Sequence, residues 1–252
     1  MTIIEAIFLG VIQGLTEFLP ISSSGHLVIV QSILGVVQPG NEFEILVHIG
    51  TLMSVLVVFK TDILELITDM RSKNSQKYIL YIIIGTVPSV FIGLGYKSFI
   101  ESLFNNLRTV GFALIFTGLV LFSSQFSVKK NLKPSIYTAF LIGCAQAIAI
   151  IPGISRSGMT ISMALLLGFL PKEAAKFSFI LAIPVISGAG ILTFIDLNEN
   201  NYEFILTGII GMFSSFLVGF FALKWLIGWL KKGKIYYFGV YCVLIGLLTL
   251  FF

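Results

Sequence analysis

Charge is what this chain has least of. Asp, Glu, Lys and Arg together make up 11% of its 252 residues, whereas a soluble domain carries about 25%. That is too little to cover a water-facing surface, so most of the solvent is lipid. Cysteine is nearly absent. Cys144 and Cys242 lie inside apolar segments, which argues against a disulfide framework and against a thiolate metal cluster. No basic stretch precedes the first apolar run, Met1-Thr2-Ile3-Ile4-Glu5, so a cleaved signal peptide is not expected. The net charge of +4 has a simpler cause than nucleic-acid binding, namely positive loops that set topology. No nucleic-acid partner is expected.

Apolar residues are abundant, at 57%. Six runs have spanning length: roughly 43–59, 79–97, 110–125, 175–195, 203–223 and 236–252. Two further regions break in the middle. Residues 2–19 are apolar, stop at Pro20-Ile21-Ser22-Ser23-Ser24-Gly25, and resume to about Gly35. Residues 135–151 stop at Pro152-Gly153-Ile154-Ser155-Arg156-Ser157-Gly158 and resume to about Leu170. The second arms are too short to cross about 30 Å of hydrocarbon at about 1.5 Å per residue. Each region reads as a re-entrant helix–break–helix hairpin, because irregular backbone at membrane depth must line a cavity or be buried.

The basic residues agree with this topology. If each hairpin returns to its side of entry, thirteen Lys and Arg fall on one side, in the stretches 60–77, 129–133, 172–176 and 224–234. Only Lys97 and Arg108 fall on the other, and Arg156 sits within a hairpin. The first side is then cytoplasmic and both termini face outward. The stretch from Lys60 to Lys77 mixes both signs and reads as a solvated loop. Trp225 and Trp229 read as an interfacial belt.

The two broken segments resemble each other. At an offset of 133, Gly10 pairs with Gly143, Gln13 with Gln146, Ser22 with Ser155, Ser24 with Ser157, and Gly25 with Gly158. Phe43 pairs with Phe177 at 134; Gly85, Ser89 and Gly93 pair with Gly211, Ser215 and Gly219 at 126; Gly111 and Gly118 pair with Gly239 and Gly246 at 128. Each half is one hairpin plus three spans, an odd number, so the halves oppose each other as in inverted-repeat transporters. The expected fold is an all-α integral membrane protein, a single polytopic domain over 1–252. It has six transmembrane helices and two re-entrant hairpins in an inverted-topology repeat, with halves 1–126 and 134–252.

The polar residues at depth carry the chemistry. Glu17 precedes the first break, with Gln13 one turn earlier on the same face. An ionisable group at the bilayer centre costs about 2.5–3.5 kcal/mol, so function is the default reading; the alternative is an ion pair, with Arg156 the natural partner. His26 follows Ser22-Ser23-Ser24-Gly25 and could serve as acid, base or nucleophile, or simply be a satisfied core residue. Arg156 is flanked by Ser155 and Ser157, with Thr160 one turn on. A guanidinium fork, hydroxyls and a helix N-terminus together suit a phosphate; the alternative is a capping serine with a charge-balancing arginine. His48 either lines the cavity or packs, and Glu44 and Glu173 read as interfacial. A carboxylate beside a phosphate calls for a cation. Mg²⁺ binds through one or two carboxylates plus substrate phosphates, so a divalent cation on Glu17, Mg²⁺ or else Ca²⁺, is expected. The set fits phosphoryl transfer, where positioning and charge stabilisation dominate.

At these residues the chain resembles a known family. Gln13-Gly14-Leu15-Thr16-Glu17-Phe18-Leu19-Pro20-Ile21-Ser22-Ser23-Ser24-Gly25-His26 looks like the first signature of the bacterial undecaprenyl-diphosphatases of the bacitracin-resistance type. Pro152-Gly153-Ile154-Ser155-Arg156-Ser157-Gly158-Met159-Thr160 looks like the second. The likeness extends through Phe43–Thr51 and Pro171–Phe179. It implies hydrolysis of undecaprenyl diphosphate to the monophosphate and phosphate, which recycles the cell-wall lipid carrier and confers bacitracin resistance. It also implies Glu17, His26 and Arg156 as central residues and Ser23 as a proposed nucleophile, the alternative being direct attack by water activated by Glu17 or His26. Many members carry Glu where this chain has Gln13, so a metal would rest on Glu17 with a neutral helper. Ser22, Ser24, Ser155, Ser157, Thr160 and Gln13 are the expected substrate-binding residues. The expected partners are a polyprenyl diphosphate and membrane lipid, with a homodimer left open. The expected location is the bacterial cytoplasmic membrane, with the site open outward. The rival reading is a polyprenyl-phosphate flippase or other secondary transporter, with a channel third.

Overall fold

A computed structural model describes residues 1–36, 42–104, 106–128, 130–196, 202–230 and 234–251. The described residues contain helices and no strands. The helices are α1 Ile3–Thr16, α2 Ser23–Leu34, α3 Glu42–Val58, α4 Lys60–Thr68, α5 Lys73–Gly95, α6 Lys97–Phe104, α7 Leu107–Ser123, α8 Ile136–Ile148, α9 Arg156–Leu166, α10 Pro171–Asp196, α11 Tyr202–Leu230 and α12 Tyr237–Thr249. Four stretches are long and apolar enough to cross a membrane: Lys73–Gly95, Leu107–Phe126, Pro171–Leu192 and Ile205–Leu230. The chain is thus an all-α, multi-pass membrane protein. Of the six expected runs, these four match directly. The run at 43–59 becomes α3, which bends by 72° into α4 and qualifies only with it. The run at 236–252 yields a helix of 13 residues, about 20 Å long.

The stretch read as a solvated loop is corrected in part, because residues 60–68 are helical. The helix is mostly exposed, and its Asp62 pairs with Lys176 of α10. Lys129, Lys231 and Lys232 of the charge argument lie outside the described residues.

The breaks form where the sequence placed them. A capping box of Thr2 and Glu5 starts α1, and Ser135 and Thr138 start α8 in the same way. Pro20 and Pro152 lack an N–H and oppose continuation. Ser22 then caps α2 and Ser155 caps α9, each hydroxyl accepting from the backbone N–H three residues on. Ser22 holds φ at +68°, a conformation that L residues rarely take and that costs about 1–3 kcal/mol. Gly153, at φ +94°, takes a left-handed conformation in the other break without that penalty.

Small residues set the helix pairing. Gly10 of α1 lies on Gly211 of α11, and Gly14 lies on Ser215 and Gly219, so the two helices run the same way. Gly143 of α8 lies on Gly85 of α5, and Gly93 of α5 lies near Ile150, just past α8, so these two are also parallel. Gly111 meets Gly246 while Gly118 meets Gly239, so α7 and α12 are antiparallel. Without side chains the backbones approach closely, which is how apolar helices associate in lipid. A Cβ on Gly143 would collide with the Gly85 backbone. Gly143→Val is expected to cost about 1–3 kcal/mol through overpacking and to lower the melting temperature in detergent. Gly228→Ala, where a Cβ meets nothing within 4 Å, is expected to leave it unchanged.

Candidate active site

Both breaks open on one cavity of about 310 Å³. Its wall takes Glu17 and Ser22–Ser24 from the first break, and Ser155 and Arg156 from the second. Each break ends in a helix N-terminus, that of α2 and that of α9. Two sets of free N–H groups and two positive dipole ends therefore face the same space, which favours an anion. The breaks also touch each other. Gly25 abuts Gly153, Gly158 abuts Pro20, and the Ser157 hydroxyl donates to the Leu19 carbonyl at 3.3 Å. Neighbouring helices hold both from behind. Thr117 of α7 donates to the Gly153 carbonyl and accepts from the Ser155 N–H, and Cys242 of α12 donates to the Pro20 carbonyl.

Glu17 is the hub. It is 7% exposed and four groups converge on its carboxylate. Arg156 Nη2 donates to Oε1 at 2.5 Å. The Ser23 hydroxyl donates to Oε2 at 2.6 Å, and Gln13 Nε2 at 3.2 Å. His48 Nε2 stands 3.4 Å from Oε2. The His48 Nδ1–H donates to the Glu44 carbonyl at 2.6 Å, since a carbonyl only accepts. The Nε2 contact is therefore an ion pair only when the ring carries both protons.

Arg156 takes the ion-pair role that the sequence left as the alternative. It is the charge partner of Glu17, yet only through Nη2. Its other amine, Nη1, is buried without a hydrogen-bond partner among the described residues. A guanidinium has five donors in a planar fork, so one carboxylate does not exhaust it. The spare edge belongs to a residue that lines the cavity.

The other expected residues divide. Ser22, Ser23, Ser24 and Ser155 line the cavity. The Ser22 and Ser24 hydroxyls are 3.3 Å apart, as are those of Ser155 and Ser157. Gln13 is fully buried behind Glu17. Thr160 turns away, donating to the Arg156 carbonyl and sharing a hydrogen bond with Ser178 of α10. His26 does not reach Glu17. Its Nδ1–H donates to the Ser22 carbonyl at 2.7 Å, and Nε2 meets the Tyr241 hydroxyl of α12 at 2.8 Å with the rings stacked. The imidazole at the carboxylate is that of His48. Glu44, read from sequence as interfacial, is corrected: it is buried and lines the cavity one turn before His48. Lys97 and Glu101 of α6 also line it, as do Ser89 and Gln146. The Glu44–His48 spacing of four was the available signal for that face.

A cation must be tested against these donors. Among the described residues no group of three or more His, Cys, Asp or Glu could hold a metal. A protein-only cage is therefore not present among them. A cation shared with a phosphate needs less. Glu17 offers the carboxylate, and Gln13 Oε1 is a buried oxygen without a partner among the described residues. The donor set fits that shared mode.

Comparison with known proteins follows the same residues. The family model for bacitracin resistance protein BacA matches residues 6–248. An undecaprenyl-diphosphatase of Carboxydothermus hydrogenoformans is 44% identical over 257 residues, covering 99% of this chain and 97% of its own. That of Halothermothrix orenii is 42% identical, with 99% and 98% covered, and that of Korarchaeum cryptofilum is 39% identical, with 99% of each covered. With both polar breaks inside a match that runs nearly end to end, the chain belongs to the BacA bacitracin resistance family.

Proposed function

We propose that this protein is an undecaprenyl-diphosphatase of the bacterial cytoplasmic membrane, releasing phosphate and returning the lipid monophosphate. The observation that carries this reading is Arg156. One amine is tied to Glu17, and the other is buried without a partner among the described residues, at a cavity faced by two helix N-termini. That is an anion site beside a carboxylate that already accepts a serine proton bond.

In this mechanism Ser23 Oγ attacks the terminal phosphorus as its proton passes to Glu17. The bond to the bridging oxygen breaks, and Glu17 gives that proton to the departing lipid monophosphate. Water then cleaves the phosphoserine, its proton passing to the freed Glu17 and from there to the Ser23 oxygen as the second P–O bond breaks. Arg156 Nη1 stabilises the charge on the equatorial oxygens. His26 acts through the Ser22 carbonyl, fixing the strained turn that presents Ser23. Glu17, with Gln13 as neutral helper, would hold the cation, Mg²⁺ or Ca²⁺, whose chemistry is to offset the charge of the diphosphate.

The proposed topology is six spans and two re-entrant hairpins in an inverted repeat, with halves 1–126 and 134–252, both termini outward and the site opening outward. Its support is a set of mirrored contacts. Gly10 on Gly211 has its counterpart in Gly143 on Gly85, and Gly25 on Gly153 in Gly158 on Pro20. Gly111 on Gly246 has its own counterpart in Gly239 on Gly118, as a pseudo-two-fold between α7 and α12 requires.

The test is phosphate release from a polyprenyl diphosphate by purified protein in detergent. Transport requires a sealed bilayer, so turnover in micelles favours the phosphatase, and no turnover in the presence of Mg²⁺ or Ca²⁺ sinks it. Glu17→Gln keeps the shape but not the basicity. It is expected to lower kcat about a hundredfold, the lower end of general-base effects.

A further inference from the structure

Two polar side chains at the cavity have no role in the mechanism above. Ser89 of α5 is 3% exposed and Gln146 of α8 is 1% exposed, and both line the cavity. The Ser89 hydroxyl and both polar atoms of the Gln146 amide lack a hydrogen-bond partner among the described residues. An unsatisfied buried polar group costs about 1–3 kcal/mol, so native proteins rarely leave three such atoms together without use.

Their positions are coupled. The helices α5 and α8 are parallel, with Gly85 on Gly143 at one level and Gly93 near Ile150 further along. Ser89 lies one turn past Gly85, and Gln146 just under one turn past Gly143. Both therefore sit at the same level between those contacts. The next level up, Gly93 and Ile150, is apolar and also lines the cavity. The helices α5 and α10 both line the cavity, and between them they also bound an apolar groove lined by Val90, Phe91, Leu94 and Pro184.

The cavity wall thus carries two separate polar sets. One is Ser23, Glu17 and Arg156. The other is Ser89 and Gln146, and α5, which carries Ser89, also walls the apolar groove. We propose that Ser89 and Gln146 form a second phosphate subsite, which takes the lipid-proximal phosphate of a polyprenyl diphosphate while the terminal phosphate lies on Arg156. The inference rests on the phosphatase reading. Two neutral donors, a hydroxyl and an amide N–H, bind phosphate oxygens without burying a further charge. The subsite selects a diphosphate over a monophosphate, and so favours the substrate over the lipid product.

The experiment measures binding without turnover. Full-length protein in detergent is titrated with farnesyl methylenediphosphonate and with farnesyl monophosphonate, and thermal stabilisation is read. Ser89→Ala and Gln146→Leu are each expected to weaken the diphosphonate about tenfold, the loss of one hydrogen bond to a charged group. The monophosphonate is expected to stay within about twofold. Gln146→Leu without ligand is expected to melt no lower than the parent, since it removes orphaned polar atoms; a merely structural amide would make it melt lower. Ser89→Thr, which keeps the hydroxyl, is expected to retain selectivity. Equal weakening of both ligands, or parental affinity for the diphosphonate, overturns the subsite. Parental protein that discriminates the two ligands but releases no phosphate overturns the enzymatic reading alone.

Discussion

Arg156→Ala is expected to lower phosphate release by about a thousandfold, the cost of losing a main donor to transition-state charge. The loss should fall on kcat as well as kcat/KM, because charge on the transferred group grows between ground state and transition state. Arg156→Lys is expected to recover less than about a tenth of the parental rate. A lysine is a point charge on a flexible stem, whereas the guanidinium holds Glu17 on one amine and has a second to offer. The alanine variant also takes from buried Glu17 its guanidinium partner, at a cost of up to about 3–5 kcal/mol, reduced by the Ser23, Gln13 and His48 contacts that remain. Stability and catalysis separate in the double variant Glu17→Gln/Arg156→Ala. Its melting temperature in detergent should recover toward the parent while its activity does not. An Arg156→Ala protein that is folded and turns over at the parental rate would remove Arg156 from the chemistry.

Ser23→Ala is expected to have an effect of similar size, about a thousandfold or more on kcat. Its hydroxyl donates to Glu17 at 2.6 Å, the distance at which a base can take the proton as the oxygen attacks. Nucleophile and base act as a unit, so the double variant Ser23→Ala/Glu17→Gln should lose little beyond the worse single variant. Two independent losses that multiply would contradict the unit. A Ser23→Ala protein within about tenfold of the parent would assign the attack to water, with Glu17 activating it directly. Rapid quenching of the parent should trap phosphate on Ser23 in the first case and none in the second.

The sequence carried much of this. Two proline-serine breaks in apolar runs imposed helix ends in mid-segment, and a capping serine beside Arg156 was among the readings. Glu17 and Arg156 were legible because a charge at membrane depth has so few acceptable explanations. The resemblance at Gln13–His26 and Pro152–Thr160 named the family before any geometry. Span lengths were less secure. The bend between α3 and α4 and the shortness of α12 follow from packing that an apolar run does not encode.

What only the tertiary structure decided is which polar groups meet. His26 and His48 are equally plausible as residues. The turn after Ser22 rotates one toward Tyr241, while α3 brings the other to Glu17. Glu44 read as interfacial because position along a helix says nothing about which neighbours cover it. Thr160 lies one turn from Arg156, yet its face of α9 packs on Ser178 rather than on the cavity. Ser89 and Gln146 are distant in sequence, and they share a level only because Gly85 and Gly143 let two parallel backbones touch. Local chemistry fixes where a helix must stop and which side chains are costly in lipid. The partners of those side chains depend on rotation and register between helices far apart in the chain, and these are settled when the whole bundle packs.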